Sequence, residues 1–163
     1  MATSSGTGVY SAVVQALDAN DGAVIADGHT VTLDGNVTGN NYFKIEAGAT
    51  LVGAGYSITV DNESSDWSFL NLGTISAAST LDVIITTPRE CKIRFDGQGG
   101  NVRDLTINHA SCVALIEDNN MTLDRNLTIT AGTLNTLDSD DSTSRNLTVT
   151  GDVSVTGTLT GNA

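Results

Sequence analysis

The chain has 163 residues, 39% hydrophobic and only 16% charged, and seven Lys plus Arg against nineteen Asp plus Glu give it a formal charge of −12. That length suffices for one domain with a sizeable core, while the negative surplus argues against nucleic acid and against anionic membranes as partners. One proline, Pro88, and an aromatic share of 4% argue against a Pro-rich linker and against a core built on a few large rings.

The polar remainder is Thr, Ser, Asn and Gly, a mixture that favours strands and turns. Met1 to Gly8 shows no basic cluster followed by an apolar core, and no run approaches the length of a membrane span. The expectation is a protein made in a host cytoplasm without a secretion signal of its own. Val9 to Leu17, followed by the turn residues Asp18 to Gly22, reads either as a short helix capping a first rung or as an opening strand. Residues 1–22 are thus expected to form an arm and a possible cap, 23–150 the body of the fold, and 151–163 a Thr/Gly-rich strand segment that contacts a partner.

Internal repetition dominates the rest of the chain. Arg103-Asp104-Leu105-Thr106-Ile107-Asn108, Arg125-Asn126-Leu127-Thr128-Ile129-Thr130 and Arg145-Asn146-Leu147-Thr148-Val149-Thr150 are three copies of one hexad, about 20 to 22 residues apart. Earlier, Leu81 or Val83, and before them Ile58 and Val60, fill the same apolar slot. A second series runs between: Val31 and Leu33, Leu51 and Val52, Leu70 and Leu72, Ile93 and Phe95, Val113 and Leu115, then Leu134. Strict alternation inside each hexad turns Leu and Ile to one face and Thr to the other. Asp27-Gly28, Asp34-Gly35 and Asp96-Gly97 supply turns.

Short strands recurring at intervals of about 20 residues are the rung of an all-β β-solenoid, a parallel β-helix-like fold. An antiparallel sandwich also suits short strands, but gives no reason for one hexad to recur at that distance. The expected interior ladders are Leu105, Leu127 and Leu147, with Ile107, Ile129 and Val149 beside them. Thr106, Thr128 and Thr148 form the exterior ladder, and Arg103, Arg125 and Arg145 share a corner near Asp104 and Asp124, splayed into solvent. Val153, Val155 and Leu159 keep strand alternation near the end of the sequence and are assigned to assembly.

Motifs of the common enzyme classes do not occur: there is no phosphate-binding Gly-Lys loop, no Gly-x-Ser-x-Gly elbow and no His-Glu-x-x-His helix. His29 and His109 read as strand-end residues, and Cys91 and Cys112 as small core residues, about one rung apart, with free thiols. The acidic clusters Asp61 to Asp66 and Asp138 to Asp141 read as solvated turns. Closely spaced carboxylates also suit a hard cation, which makes Asp138, Asp140 and Asp141 the weak calcium candidates. No cofactor and no catalytic residue is assigned.

The tail from Asn146 to Ala163, Asn-Leu-Thr-Val-Thr-Gly-Asp-Val-Ser-Val-Thr-Gly-Thr-Leu-Thr-Gly-Asn-Ala, resembles the Thr/Gly-rich segments of phage tail-fibre and other virion structural proteins. Val14 to Gly35 is more loosely similar to the opening of pectate-lyase-like right-handed β-helices, where a short helix precedes the first rung. The catalytic residues of those enzymes have no counterparts here, so the resemblance implies a fold and not an activity. It implies a non-enzymatic virion component, a fibre, spike or capsid decoration protein. Its expected partners are copies of itself, a trimer by analogy, other virion proteins and a host-surface glycan. A glycan-binding or glycan-cleaving β-helix and a bacterial adhesin module are the alternatives.

Overall fold

The computed structural model describes residues 2–13, 22–61, 67–76, 80–95 and 102–161. Alternating apolar residues in short runs, each bounded by a turn, cannot bury their faces alone; here they do so by coiling. The chain is an all-β solenoid of about six turns, in which each strand pairs in parallel with its equivalent on the next turn.

Each rung has three faces. The first stacks Ala2–Thr3, Ala23–Ile25, Phe43–Ile45, Trp67–Asn71, Glu90–Arg94, the C-terminal parts of Asp104–Ile116 and Leu127–Asn135, and Thr158–Thr160. The second stacks Gly8–Val9, Thr30–Thr32, Thr50–Val52 and Thr74–Ile75; further along, Val102 bridges Leu123, and Met121–Leu123 pairs with Leu147–Val149. The third stacks Val37–Asn40, Ser57–Val60, Asp82–Ile85, the N-terminal parts of the two long strands, and Val153–Val155. Rungs differ in length: Ala23 pairs with Phe43 and Phe43 in turn with Phe69, so the second of these turns holds the longer stretch of chain.

In-register pairing turns the alternation into columns. On the third face Val37, Ile58, Val83, Leu105, Leu127 and Val153 stack at one position, and Val60, Ile85, Ile107, Ile129 and Val155 two residues on. All but the last of each column are buried, and each fully buried aliphatic side chain contributes about 1.5–3 kcal/mol of transfer free energy. Threonines form outward ladders, Thr106 with Thr128 on this face and Thr30, Thr50 and Thr74 on the second.

Rings matter more than their number implies. Phe43 and Phe69 stack in adjacent rungs at 5.7 Å between centroids, Phe69 meets Phe95 edge-on at 5.0 Å, and Tyr10 lies 6.2 Å from Phe43. Parallel in-register pairing repeats one position at intervals of about 4.8 Å, which sets Phe43 over Phe69, and Tyr10 and Phe95 extend that stack at its two ends.

Corners need a substitute for the strand ladder, and side-chain amides and carboxylates supply it. Asp104 Oδ1 accepts the Asn126 backbone N–H at 2.9 Å, Asn126 Oδ1 accepts that of Asp152 at 2.9 Å, and Asn120 Oδ1 that of Asn146 at 2.8 Å. Asn36 does the same for Ser57. Each acceptor thus takes a donor one rung on, which keeps the rungs in register where the strands stop. The sharpest bend lies in Leu127–Asn135, where Gly132 has φ +87° and a Cβ would come within 2.5 Å of the His109 carbonyl oxygen.

Several expectations need correction. The second series merges two faces: Val31 and Leu51 pair on the second, whereas Leu70 lies beside Lys44 and Arg94 on the first. Leu147 does not follow Leu127, nor Val149 follow Ile129. Val153 and Val155 occupy those places, while Leu147 and Val149 sit on the second face over Met121 and Leu123, and Thr148 over Thr122. The third hexad copy is displaced because the chain makes a long excursion before it, closed by an antiparallel bridge from Leu137 to Ser144.

Parallel pairing also begins earlier and runs later than expected. Ala2 pairs with Ala23, and Leu159 with Leu134, so the segment expected to form an arm and the strand segment at 151–163 both carry rung strands. A helix is described only over Tyr10–Val13, directly after the strand Gly8–Val9; residues 14–17 and the Asp96-Gly97 turn lie outside the described residues.

Candidate functional site

Three regions concentrate side-chain chemistry or exposed apolar surface. The first is the corner before the third face. Arg103 donates from Nε and Nη2 to the two Asp82 oxygens, at 2.7 and 2.5 Å, and also lies 3.3 Å from Asp104. One rung on, Arg125 grips Asp104 in the same two-pronged way, at 3.0 and 2.5 Å. Burial alone would raise the Asp104 carboxyl, but the Arg125 guanidinium and the Asn126 N–H outweigh it and hold the group below the usual aspartate range. Arg125 is exposed as expected and Arg103 is half-buried, and both pair with carboxylates, so that charges of opposite sign alternate up the corner. Arg145 is not among them.

The second region is built by the excursion 137–145 as it folds back on the two preceding rungs. Asp138, 1% exposed, is its centre. Its Oδ2 accepts the Asp118 N–H at 2.7 Å and the Arg145 Nε and Nη2 at 3.0 and 2.6 Å; its Oδ1 accepts the N–H groups of Asp140 at 2.8 Å and Asp141 at 3.4 Å. Burial would raise the Asp138 carboxyl, but Arg145 and the converging N–H groups hold it far below its ordinary value.

Glu117 follows the strand Asp104–Ile116 and is fully buried beside Asp138. Its Oε1 accepts from the Ser139 Oγ at 2.6 Å and the Ser139 N–H at 3.1 Å, whereas Oε2 is buried with no hydrogen-bond partner. Burial pushes the Glu117 carboxyl above the usual range, and the neighbouring Asp138 adds to the effect against a partial offset from Ser139. Carboxylate oxygens of Glu117, Asp138 and Asp140 lie within 4.8 Å of one another. Lys92, from the rung before, reaches Asp140 at 2.8 Å with its ammonium 5.9 Å from the Trp67 ring centre, and Arg94 pairs with Asp118 at 2.5 Å.

Two of the three weak calcium candidates, Asp138 and Asp140, are therefore brought together. Asp141 turns instead to Arg145 and to the Thr143 N–H. Glu117 was missed by sequence reasoning: it lies a full rung before Asp138, and its only signal was an acid directly after an apolar strand.

The third region is the last rung. Val153, Val155 and Leu159 are 53%, 42% and 42% exposed although they top columns that are buried one rung earlier, at Leu127, Ile129 and Leu134.

The remaining candidates stay apart. His29 Nδ1 lies 2.8 Å from the Ser4 Oγ, and His109 Nδ1 accepts the Ser111 N–H. Cys91 and Cys112 are both buried and free, and the hydrogen-bonded neighbour Cys91, together with burial, pushes the Cys112 thiol up. Of the acidic stretch 61–66, residues 62–66 lie outside the described residues. Among the described residues no helix is long and apolar enough to cross a membrane. Comparison with known protein families, with curated proteins and with solved structures finds no match to this chain.

Proposed function

We propose that the chain is a non-enzymatic structural component of a phage virion, a fibre, spike or capsid decoration protein that works through a rigid solenoid and through self-assembly. The observation that carries this reading is the exposed apolar top of the last rung, Val153, Val155 and Leu159, continuous with the interior columns beneath it. Strand edges and apolar column ends of this kind recruit further strands. The occupant is a second copy of this chain, since the rung at the other end also has short parallel strands, Ala2–Thr3 and Gly8–Val9, with Val9 exposed. The Thr/Gly-rich tail supplies the virion half of the reading, and a trimer is the expected size.

Light scattering and sedimentation test the assembly. The parent chain should be oligomeric, and a triple variant carrying Val153→Ser, Val155→Ser and Leu159→Ser should be monomeric with an unchanged strand signal. A parent that stays monomeric at high concentration overturns the assembly. Mass spectrometry of particles purified after lysis of the producing culture tests the location: this chain should co-purify with capsid or tail proteins, and its absence from such particles removes the virion assignment.

A further inference from the structure

The acidic site beneath the last rung does something that the proposed assembly does not require. Five carboxylates, Glu117, Asp118, Asp138, Asp140 and Asp141, share it with three cations, Lys92, Arg94 and Arg145. The group thus carries a surplus of two negative charges. Asp118 and Asp141 are each held by an arginine. What is left over is the unpartnered, fully buried Oε2 of Glu117 and, beside that carboxyl group, the Asp140 carboxylate held by Lys92. Asp138 also belongs here, with a carboxylate oxygen within 4.8 Å of those of Glu117 and Asp140. A buried carboxylate oxygen without a donor is costly, and the two further carboxylates beside it favour a cation as its partner.

We infer that Glu117, Asp138 and Asp140 form a binding site for a hard divalent cation of calcium size, which staples the excursion 137–145 to the preceding rungs. The donor set is oxygen only, as such ions require. Two oxygens each about 2.4 Å from one ion lie no more than about 4.8 Å apart, and the three carboxylates meet that limit. Lys92 is the built-in competitor: its ammonium already sits on Asp140, and the cation binds by displacing it.

The chain carries its own reporter. Trp67 is the only tryptophan, and Lys92 lies between it and Asp140. Terbium, a calcium substitute, should therefore emit when Trp67 is excited. The experiment titrates terbium, and then calcium in competition, into the full-length chain after treatment with chelator. The expected result is saturable emission that calcium quenches, with calcium also raising the melting temperature. Glu117→Gln and Asp140→Asn should each weaken binding about tenfold or more, because affinity follows the number of ligand charges. Lys92→Met should strengthen it.

Asp140 is exposed, so Asp140→Asn keeps the test available should Glu117→Gln fail to fold. Absence of sensitised emission overturns the inference, and so does emission that both folded variants retain, which places the ion elsewhere. A melting temperature that calcium leaves unchanged also overturns it. Sensitised emission does not depend on oligomeric state, and the melts are compared at one protein concentration, so failure here is separable from failure of the assembly.

Discussion

Leu127 is in register with Val153 and not with Leu147, although Leu147 is the nearer in sequence and sits in a copy of the same hexad. The column at Leu127 is thus closed below by Leu105 and above by a residue that is itself half exposed. Leu127→Asp places an unpaired charge in that column and should cost more than about 4 kcal/mol. Thr128→Ser, on the outward side, should cost less than about 1 kcal/mol. Leu147→Asp should fall between them, because Leu147 is only partly buried. Urea denaturation of the three variants checks the order, and equal midpoints for Leu127→Asp and Leu147→Asp would reverse the assignment of the columns.

The bend at Gly132 makes a second prediction. Its φ of +87° is open to glycine, and a methyl group would meet the His109 and Cys112 carbonyl oxygens at 2.5 and 2.8 Å. Gly132→Ala should destabilise by about 2–4 kcal/mol through combined strain and overpacking. Gly35→Ala, at a position with open space and no positive φ, should change the melting temperature little. A mild effect at both sites would mean that the two long strands turn elsewhere.

Phe69 lies at the middle of the aromatic stack and is fully buried between Phe43 and Phe95. Phe69→Ala should cost about 3–5 kcal/mol, whereas Phe69→Leu should recover most of that loss. Calorimetry distinguishes these outcomes from a stack that the neighbouring columns can replace.

The corner charges predict a pH dependence. Asp104 has a folded pKa below its ordinary value, so the stability it contributes is fully present above the unfolded value of about 3.9 and is lost as pH falls towards the folded one. Asp104→Asn should therefore be less stable than the parent at neutral pH, and the gap should narrow below about pH 4. Melts at about pH 7 and about pH 3 read the difference. A gap that is constant with pH would show that the Arg125 pair contributes nothing.

The solenoid was legible because its chemistry is periodic: alternating Leu-Thr-Ile and its neighbours can bury one face only by stacking, and the recurrence at Arg103 and Arg125 marked a true rung. The third copy misled for a physical reason. Asp138 and Asp141 capture Arg145, so the same hexad opens a strand on a different face. Sequence likeness records a shared local preference for strand, whereas register is settled by the length of chain between strands, and the excursion 137–145 changed that length. The second series was placed on a single face for a related cause, since second-face strands such as Thr74–Ile75 are too short to show alternation. Asp138 and Asp140 stood out as a cluster in sequence, but their partners Glu117 and Lys92 come from earlier rungs, and only coiling brings those together.

The corner acceptors make the number of rungs a separable property of the chain. Each corner oxygen, each column and each ladder reaches only to the neighbouring turn. Excising residues 105–126 would join Asp104 to Leu127 and set Leu127 where Leu105 stood, directly over Val83, while removing Glu117 and Asp118 from beside Asp138. Insertions inside a corner would break the relay, but removal or duplication of a whole turn would not. Length in this architecture therefore changes in discrete steps, each of about 20 residues of sequence and about 4.8 Å of rod.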